Sequence, residues 1–373
     1  MSSFRRIPAF FLVLSLLFSI VPTVPAAASP LSVSGISARA ALLLDATDGA
    51  RRVLWEHNSD ERLGMASTTK IMTALVALER MPLGTVISVP REAVGVEGSS
   101  LYLTAGEELS LEQLLFGVLL QSANDAAAAV AIAVGGSLAG FAALMNEKAA
   151  ALGLSHTHFT NPHGLNDEEH YTTAHDLAFL AAAALENELF AAIVSTYRKE
   201  IPGPDGSVRL LINHNRLLCA YDGCIGVKTG FTKATGRCLV SAAERDGLRL
   251  VAVTLDDGDD WNDHTALLDA GFAAYEAVDL LPLLTLPDLP VAGGEQSAVR
   301  VRPLGPCRAV LPKSHGEIRV RIEMPHFVFA PVRSSQEVGR VVFTCGGTVI
   351  GICPVVTAFS AARTPAKRKF FGK

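Results

Sequence analysis

Ser67-Thr68-Thr69-Lys70-Ile71-Met72-Thr73-Ala74-Leu75-Val76-Ala77-Leu78 sets a hydroxyl and an amine three residues apart at the head of an apolar, helix-forming run. Residues three apart share a helix face, so Lys70 reaches Ser67, and the positive end of the helix favours an alkoxide there. Burial in such a run lowers a lysine pKa and leaves an amine able to take the serine proton. Taken alone the spacing is common, and the plainer reading is a serine cap with a surface lysine.

Around this helix the chain changes period in an ordered way. Segments 40–44 and 53–57 are apolar and β-prone about the turn Asp45-Ala46-Thr47-Asp48-Gly49, which predicts a hairpin. Ser110-Leu111-Glu112-Gln113 is a capping box opening a helix over 111–120, and an alanine-rich helix over 125–134 stops at Gly135-Gly136. Further helices are expected over 141–152 and 173–185, the latter capped by Thr173 and Asp176. From 208 onward strands take over: 223–231, 237–244 and 248–255, the last two joined at Asp246-Gly247, with a closing helix over 262–278. Early strands, a helical insertion and late strands predict an α/β (α+β) domain, an antiparallel sheet flanked by helices. Pro282, Pro287 and Pro290 then mark a boundary, and short alternating segments such as 298–301, 317–322 and 340–344 predict a small all-β domain.

The ends carry their own signals. Arg5 and Arg6, an apolar stretch over 7–20 and the small-residue exit Ala26-Ala27-Ala28 read as a cleaved export signal; Pro22 and Pro25 argue against a spanning anchor. The expected organisation is a signal peptide over 1–28, a catalytic domain over 29–280, a β-rich domain over 281–360 and a basic tail over 361–373. The basic, aromatic run 367–371 is read as a disordered tail in preference to a contact with an anionic membrane surface. A formal net charge of −5 with scattered basic residues gives nucleic acid no footprint. Six cysteines, Cys219, Cys224, Cys238, Cys307, Cys345 and Cys353, have no metal or redox spacing. Cys345 and Cys353 are placed to bridge a hairpin, with free buried thiols equally expected.

Two further motifs change the weight of the first. Ser122-Ala123-Asn124 falls in a turn between expected helices, and Lys228-Thr229-Gly230 falls in an expected strand. In that order the three form the apparatus of serine acyl transfer. Ser67 supplies the nucleophile and Lys70 takes its proton. Ser122 relays that proton to the departing nitrogen, and Asn124 holds the Lys70 amine and a substrate amide. Lys228 and Thr229 grip a free α-carboxylate, and Gly230 keeps the strand bare so that substrate pairs along it. The backbone N–H groups of Ser67 and Phe231 are the expected oxyanion donors.

With these motifs the chain resembles the low-molecular-mass penicillin-binding proteins that act as serine D-alanyl-D-alanine carboxypeptidases, in the superfamily shared with serine β-lactamases. The likeness extends to Gly98-Ser99-Ser100-Leu101-Tyr102-Leu103, to Phe159-Thr160-Asn161-Pro162-His163-Gly164-Leu165, to His170-Tyr171-Thr172-Thr173-Ala174-His175-Asp176-Leu177 and to Asn213-His214-Asn215-Arg216-Leu217-Leu218. It implies a β-lactamase-like catalytic domain followed by a β-rich one, peptidoglycan stem pentapeptides as substrate, β-lactams as covalent inhibitors, no cofactor and no metal. Many members end in an amphipathic helix on the membrane; here Arg363 to Lys373 follow the β-domain, and membrane association is the weaker expectation. Three rivals are carried. A β-lactamase would use Glu168 or Glu169 to activate water. A metallopeptidase would draw on His156, His158, His163, His170 and His175, for which loop roles are favoured. A non-catalytic penicillin-binding sensor would acylate without turnover. The acidic cluster Asp256, Asp257, Asp259, Asp260 and Asp263 is read as a solvated strand-to-helix turn.

Overall fold

The computed structural model describes residues 31–365, so the expected export signal and the end of the tail from 366 lie outside the described residues. Among the described residues two compact units are present: one comprises 31–278 with Arg308–His315, the other Asp279–Cys307 with 316–365.

The first unit is organised by a five-stranded antiparallel sheet. Its strands are β1 (Ala40–Asp45), β2 (Arg52–His57), β3 (Cys224–Thr232), β4 (Gly236–Arg245) and β5 (Leu248–Asp257), in the order β2-β1-β5-β4-β3. Every side chain of β1 is buried, because both faces of the sheet are covered. Alternation sorts them: Ala40, Leu42 and Leu44 join one apolar core and Leu43 the other.

The first core holds the helices α1 (Lys70–Arg80), α2 (Leu111–Leu120), α3 (Asn124–Gly135), α4 (Leu138–Ala151), α5 (Ala174–Leu185) and α6 (Glu188–Val194). On the other face, after the single turn α7 (Leu217–Ala220), lies α8 (Asp260–Ala274), which contributes Leu267, Leu268 and Phe272. The expected caps form: Ser110 and Gln113 make the reciprocal box of α2, and Thr173 Oγ1 accepts from the Asp176 N–H at the start of α5. Within the helical insertion α5 packs on the sheet, against β1 and β5, while α1 lies among α2, α3, α4, α5 and α6.

Three expectations change here. The closing helix ends at Ala274; Tyr275–Asp279 is a strand paired with Arg308–Pro312, so 308–315 belongs with the first unit and not with the β-rich one. Helix period alone did not carry the partner strand, which arrives from some thirty residues downstream. The acidic turn is solvated only in part: Asp256 and Asp259 are exposed, but Asp257, Asp260 and Asp263 are buried. Asp263 accepts from the Ser37 and Ala38 backbone N–H groups, and Asp257 from Ser37 Oγ, so these carboxylates fasten the chain entering β1.

The second unit is all β, with a three-stranded sheet built on Leu289–Ala292 and a four-stranded one in which Glu337–Cys345 and Thr348–Thr357 are central. Its pairing continues past 360: Ala361 bridges Val332 and Arg363 bridges Gly294, so the segment at 361–364 is part of the unit and not of a tail. All six cysteines are free thiols. Cys345 stands opposite Thr348 and Cys353 opposite Val341, out of register for the hairpin bridge.

Candidate active site

The turn that carries Ser67 is held on several sides. Residues Ala66–Thr69 form a 3-10 turn that runs directly into α1. Ser67 therefore lies just ahead of the α-helix, partly exposed, while Lys70 begins it and is fully buried. Ala66 adopts a left-handed φ of +45°, a conformation that costs a residue with a Cβ and persists only where neighbours enforce it.

Lys70 Nζ has three neighbours at hydrogen-bond distance: Ser67 Oγ at 2.9 Å, Asn124 Oδ1 at 2.7 Å and the His163 carbonyl at 2.6 Å. Two of the three are carbonyl oxygens that only accept. A neutral amine has two N–H donors and one lone pair. As an ammonium Lys70 would donate to all three; in the neutral form that burial favours, the N–H groups go to Asn124 and His163 and the lone pair faces the Ser67 hydroxyl. Burial, reinforced by the nearby Lys228 charge, holds the Lys70 pKa well below the ordinary lysine value, with Asp125 opposing. The bland reading of Lys70 as a surface residue is excluded.

The second motif reaches this point through Asn124, the first residue of α3. Its Nδ2 donates to the Glu97 carbonyl and its backbone N–H to Ser99 O, which fixes the amide so that Oδ1 faces Lys70. Ser122 is buried at φ +59°, in the turn between α2 and α3. Asp125, fully buried, accepts from the Leu101 and Leu103 N–H groups and from Ser100 Oγ, which ties the 98–103 loop to the start of α3.

The third motif lies on β3, the edge strand of the sheet. Lys228 is buried, its Nζ donating to Thr229 O at 2.8 Å, and burial lowers its pKa to about 7. It is close enough to Lys70 and to His214 to lower the pKa of each. Gly230 carries a constraint beyond the one expected. A Cβ there would stand 3.0 Å from Ser67 N and 3.1 Å from both Met65 O and Thr68 N. Glycine is needed because the strand backbone packs on the nucleophile's turn. Phe231 follows with an exposed side chain, its backbone next along the strand from that contact.

Several supporting residues escaped the sequence reading. Thr73, one turn along α1 from Lys70, donates from Oγ1 to Pro162 O at 2.6 Å, so the two side chains together hold the 162–163 carbonyls. Gly164 has φ +88°, and a Cβ on it would overlap the Ala66 carbonyl. The only signal for these was the Asn161-Pro162-His163-Gly164-Leu165 stretch, whose importance lies largely in backbone atoms. Glu168 and Glu169, the carboxylates a β-lactamase reading would use, are both exposed. A cavity of about 600 Å³ adjoins the site; Met65, Ala66, Gly164, Asn166, Tyr171 and Thr235 are among its walls.

A serine whose hydroxyl faces a buried lysine amine, between a helical insertion and the edge of an antiparallel sheet, defines the serine acyl-transferases of the penicillin-binding and β-lactamase fold. Comparison with known proteins narrows the class. The family model Peptidase_S11, D-alanyl-D-alanine carboxypeptidase, matches residues 25–259. The chain is 32% identical over 329 residues to the D-alanyl-D-alanine carboxypeptidase DacF of Bacillus subtilis, covering 85% of this chain and 84% of that one. It is 32% identical over 363 residues to DacC of Escherichia coli, covering 91% and 88%. Penicillin binding protein 5 from Haemophilus influenzae superposes with a TM-score of 0.69 at 27% identity, over 89% of this chain and 99% of that one. The chain belongs to the D-alanyl-D-alanine carboxypeptidase family of serine peptidases.

Proposed function

We propose that this protein removes the terminal D-alanine from peptidoglycan stem pentapeptides through an ester on Ser67, and that β-lactams acylate the same oxygen. The observation that carries the reading is the approach of the fully buried Lys70 Nζ to within 2.9 Å of Ser67 Oγ, with Asn124 and His163 accepting from its other N–H groups.

The chemistry follows from the groups in place. Ser67 Oγ attacks the penultimate carbonyl as its proton passes to Lys70 Nζ. The developing oxyanion is received by the Ser67 and Phe231 N–H groups, and Lys228 with Thr229 holds the terminal carboxylate. Collapse breaks the C–N bond; the proton returns by way of Ser122 to the leaving amine, and D-alanine departs. Water then hydrolyses the ester and restores Ser67. With Glu168 and Glu169 exposed, no carboxylate of the 166–169 loop is buried against the nucleophile, which favours a long-lived penicilloyl ester over β-lactamase turnover.

Export by the 1–28 signal and action outside the cytoplasm, at the wall or the outer membrane face, belong to the same proposal, because the stem peptide is found there. The test is D-alanine release from a synthetic acyl-D-Ala-D-Ala peptide by the wild type and by Ser67→Ala. Release by the wild type alone is expected; none from the wild type, or equal release from the variant, refutes the proposal.

A further inference from the structure

Ala66 stands immediately before the nucleophile with its backbone in the left-handed region, and contacts on two sides hold it there. Its carbonyl accepts from Thr69 Oγ1 at 2.7 Å, while Gly164 closes the other side so tightly that a Cβ has no room. Thr69 is itself fully buried, and its Oγ1 lies 2.8 Å from His170 Nε2.

The hydrogen-bond geometry fixes the imidazole. The Thr160 backbone N–H points at His170 Nδ1 at 3.1 Å, and a backbone N–H can only donate. Nδ1 is therefore an acceptor, and the ring proton resides on Nε2. From Nε2 the proton goes to Thr69 Oγ1, and the single hydroxyl proton of Thr69 is left with one acceptor, the Ala66 carbonyl. With Nε2 unprotonated, the hydroxyl would instead be drawn to the ring and release Ala66.

We propose that His170 is a positioning residue for Ser67: through Thr69 it pins the Ala66 carbonyl, and with it the left-handed turn that aims the nucleophile at Lys70 and the cleft. The surroundings agree with an uncharged ring. His170 is buried, and burial lowers its pKa to about 4; Asp167 opposes this, whereas His158 and Lys70 reinforce it, and His163 is lowered in turn by its proximity. A second cation beside Lys70 would also add to the charges already crowded there by Lys228.

The inference rests on Ser67 being the acylated residue, and the experiment separates the two. Saturating acylation by a fluorescent penicillin is measured for wild type, Ser67→Ala, His170→Ala, Thr69→Val, Thr69→Ser and the double variant His170→Ala/Thr69→Val, each with a thermal melt. Loss of all labelling only in Ser67→Ala secures the nucleophile; labelling of that variant removes the premise itself. His170→Ala and Thr69→Val are each expected to lower the limiting acylation rate about tenfold to a hundredfold with little change in the half-saturating concentration, because a misaimed nucleophile slows the step and not the binding. The double variant is expected to be no slower than the slower single, since both break one chain. Thr69→Ser, which keeps the hydroxyl, is expected to stay near wild type. A folded His170→Ala acylating at the wild-type rate overturns the inference, as do losses that multiply in the double variant. Where His170→Ala does not fold, the Thr69 pair decides: a slow valine beside a normal serine supports the chain, and two normal rates refute it.

Discussion

Replacing Gly230 by alanine puts the closest contact of the site to the test. The added methyl would lie 3.0 Å from the Ser67 backbone nitrogen and 3.1 Å from Met65 O and Thr68 N. All three are main-chain atoms of the turn that carries the nucleophile, so no flexible side chain can swing aside. Ordinary contact requires several tenths of an ångström more, and the strand is held from behind by β4, where Gly230 faces Cys238. The turn must therefore retreat from β3, which widens the gap between the Ser67 and Phe231 N–H groups. Overpacking of this kind costs about 1–3 kcal/mol of stability. A displacement of 1 Å costs about a hundredfold in rate, so a shift of a few tenths should slow acylation roughly fivefold to tenfold. Stopped-flow acylation by a chromogenic β-lactam reads the rate, and calorimetry the stability. A Gly230→Ala variant that acylates at the wild-type rate and melts at the wild-type temperature would mean that the strand does not rest on the nucleophile's turn.

The pH profile of kcat/KM should be bell-shaped. Protonation of Lys70 removes the lone pair and gives the acid limb. Loss of the Lys228 proton weakens the carboxylate anchor and gives an alkaline limb beginning near pH 7 in the free enzyme. Lys228→Arg, which stays charged, should carry the alkaline limb out of range; an unchanged limb would assign it to another group. Thr73→Val leaves the Pro162 carbonyl without its 2.6 Å donor and should cost about 1–3 kcal/mol in a denaturant titration, against no change if that carbonyl finds another partner. The penicilloyl ester on Ser67 should persist for minutes or longer by mass spectrometry, and release within seconds would move the protein to the β-lactamase reading.

Much of this was legible in the chain because helices and strands advertise themselves by period and by caps. The capping box at Ser110 and Gln113 and the threonine cap at Thr173 form as expected, and the strands β3, β4 and β5 fall close to their expected places. Ser67-x-x-Lys70 was readable as a local fact, since a helical turn alone brings residues three apart together. Its companions, Ser122 to Asn124 and Lys228 to Gly230, were readable only as types in an order.

What the chain did not disclose depends on backbone atoms and on partners distant in sequence. The His163 carbonyl, 93 residues from Lys70, completes the set of oxygens around the buried amine, and any residue type could supply a carbonyl. At Gly230 folding adds a close approach on the Ser67 turn that the sequence did not show. The aspartates at 257 and 263 changed from solvated to buried because Ser37 and Ala38, more than 200 residues earlier, bring the donors that make burial affordable. By itself the sequence determined the elements, the family and the candidate side chains, since those depend on local periodicity and on residue chemistry. Only the tertiary structure decided the burial and hydrogen-bond partners of Lys70 and His170 and the turn that carries Ser67, because these are set by which distant groups meet and exclude water.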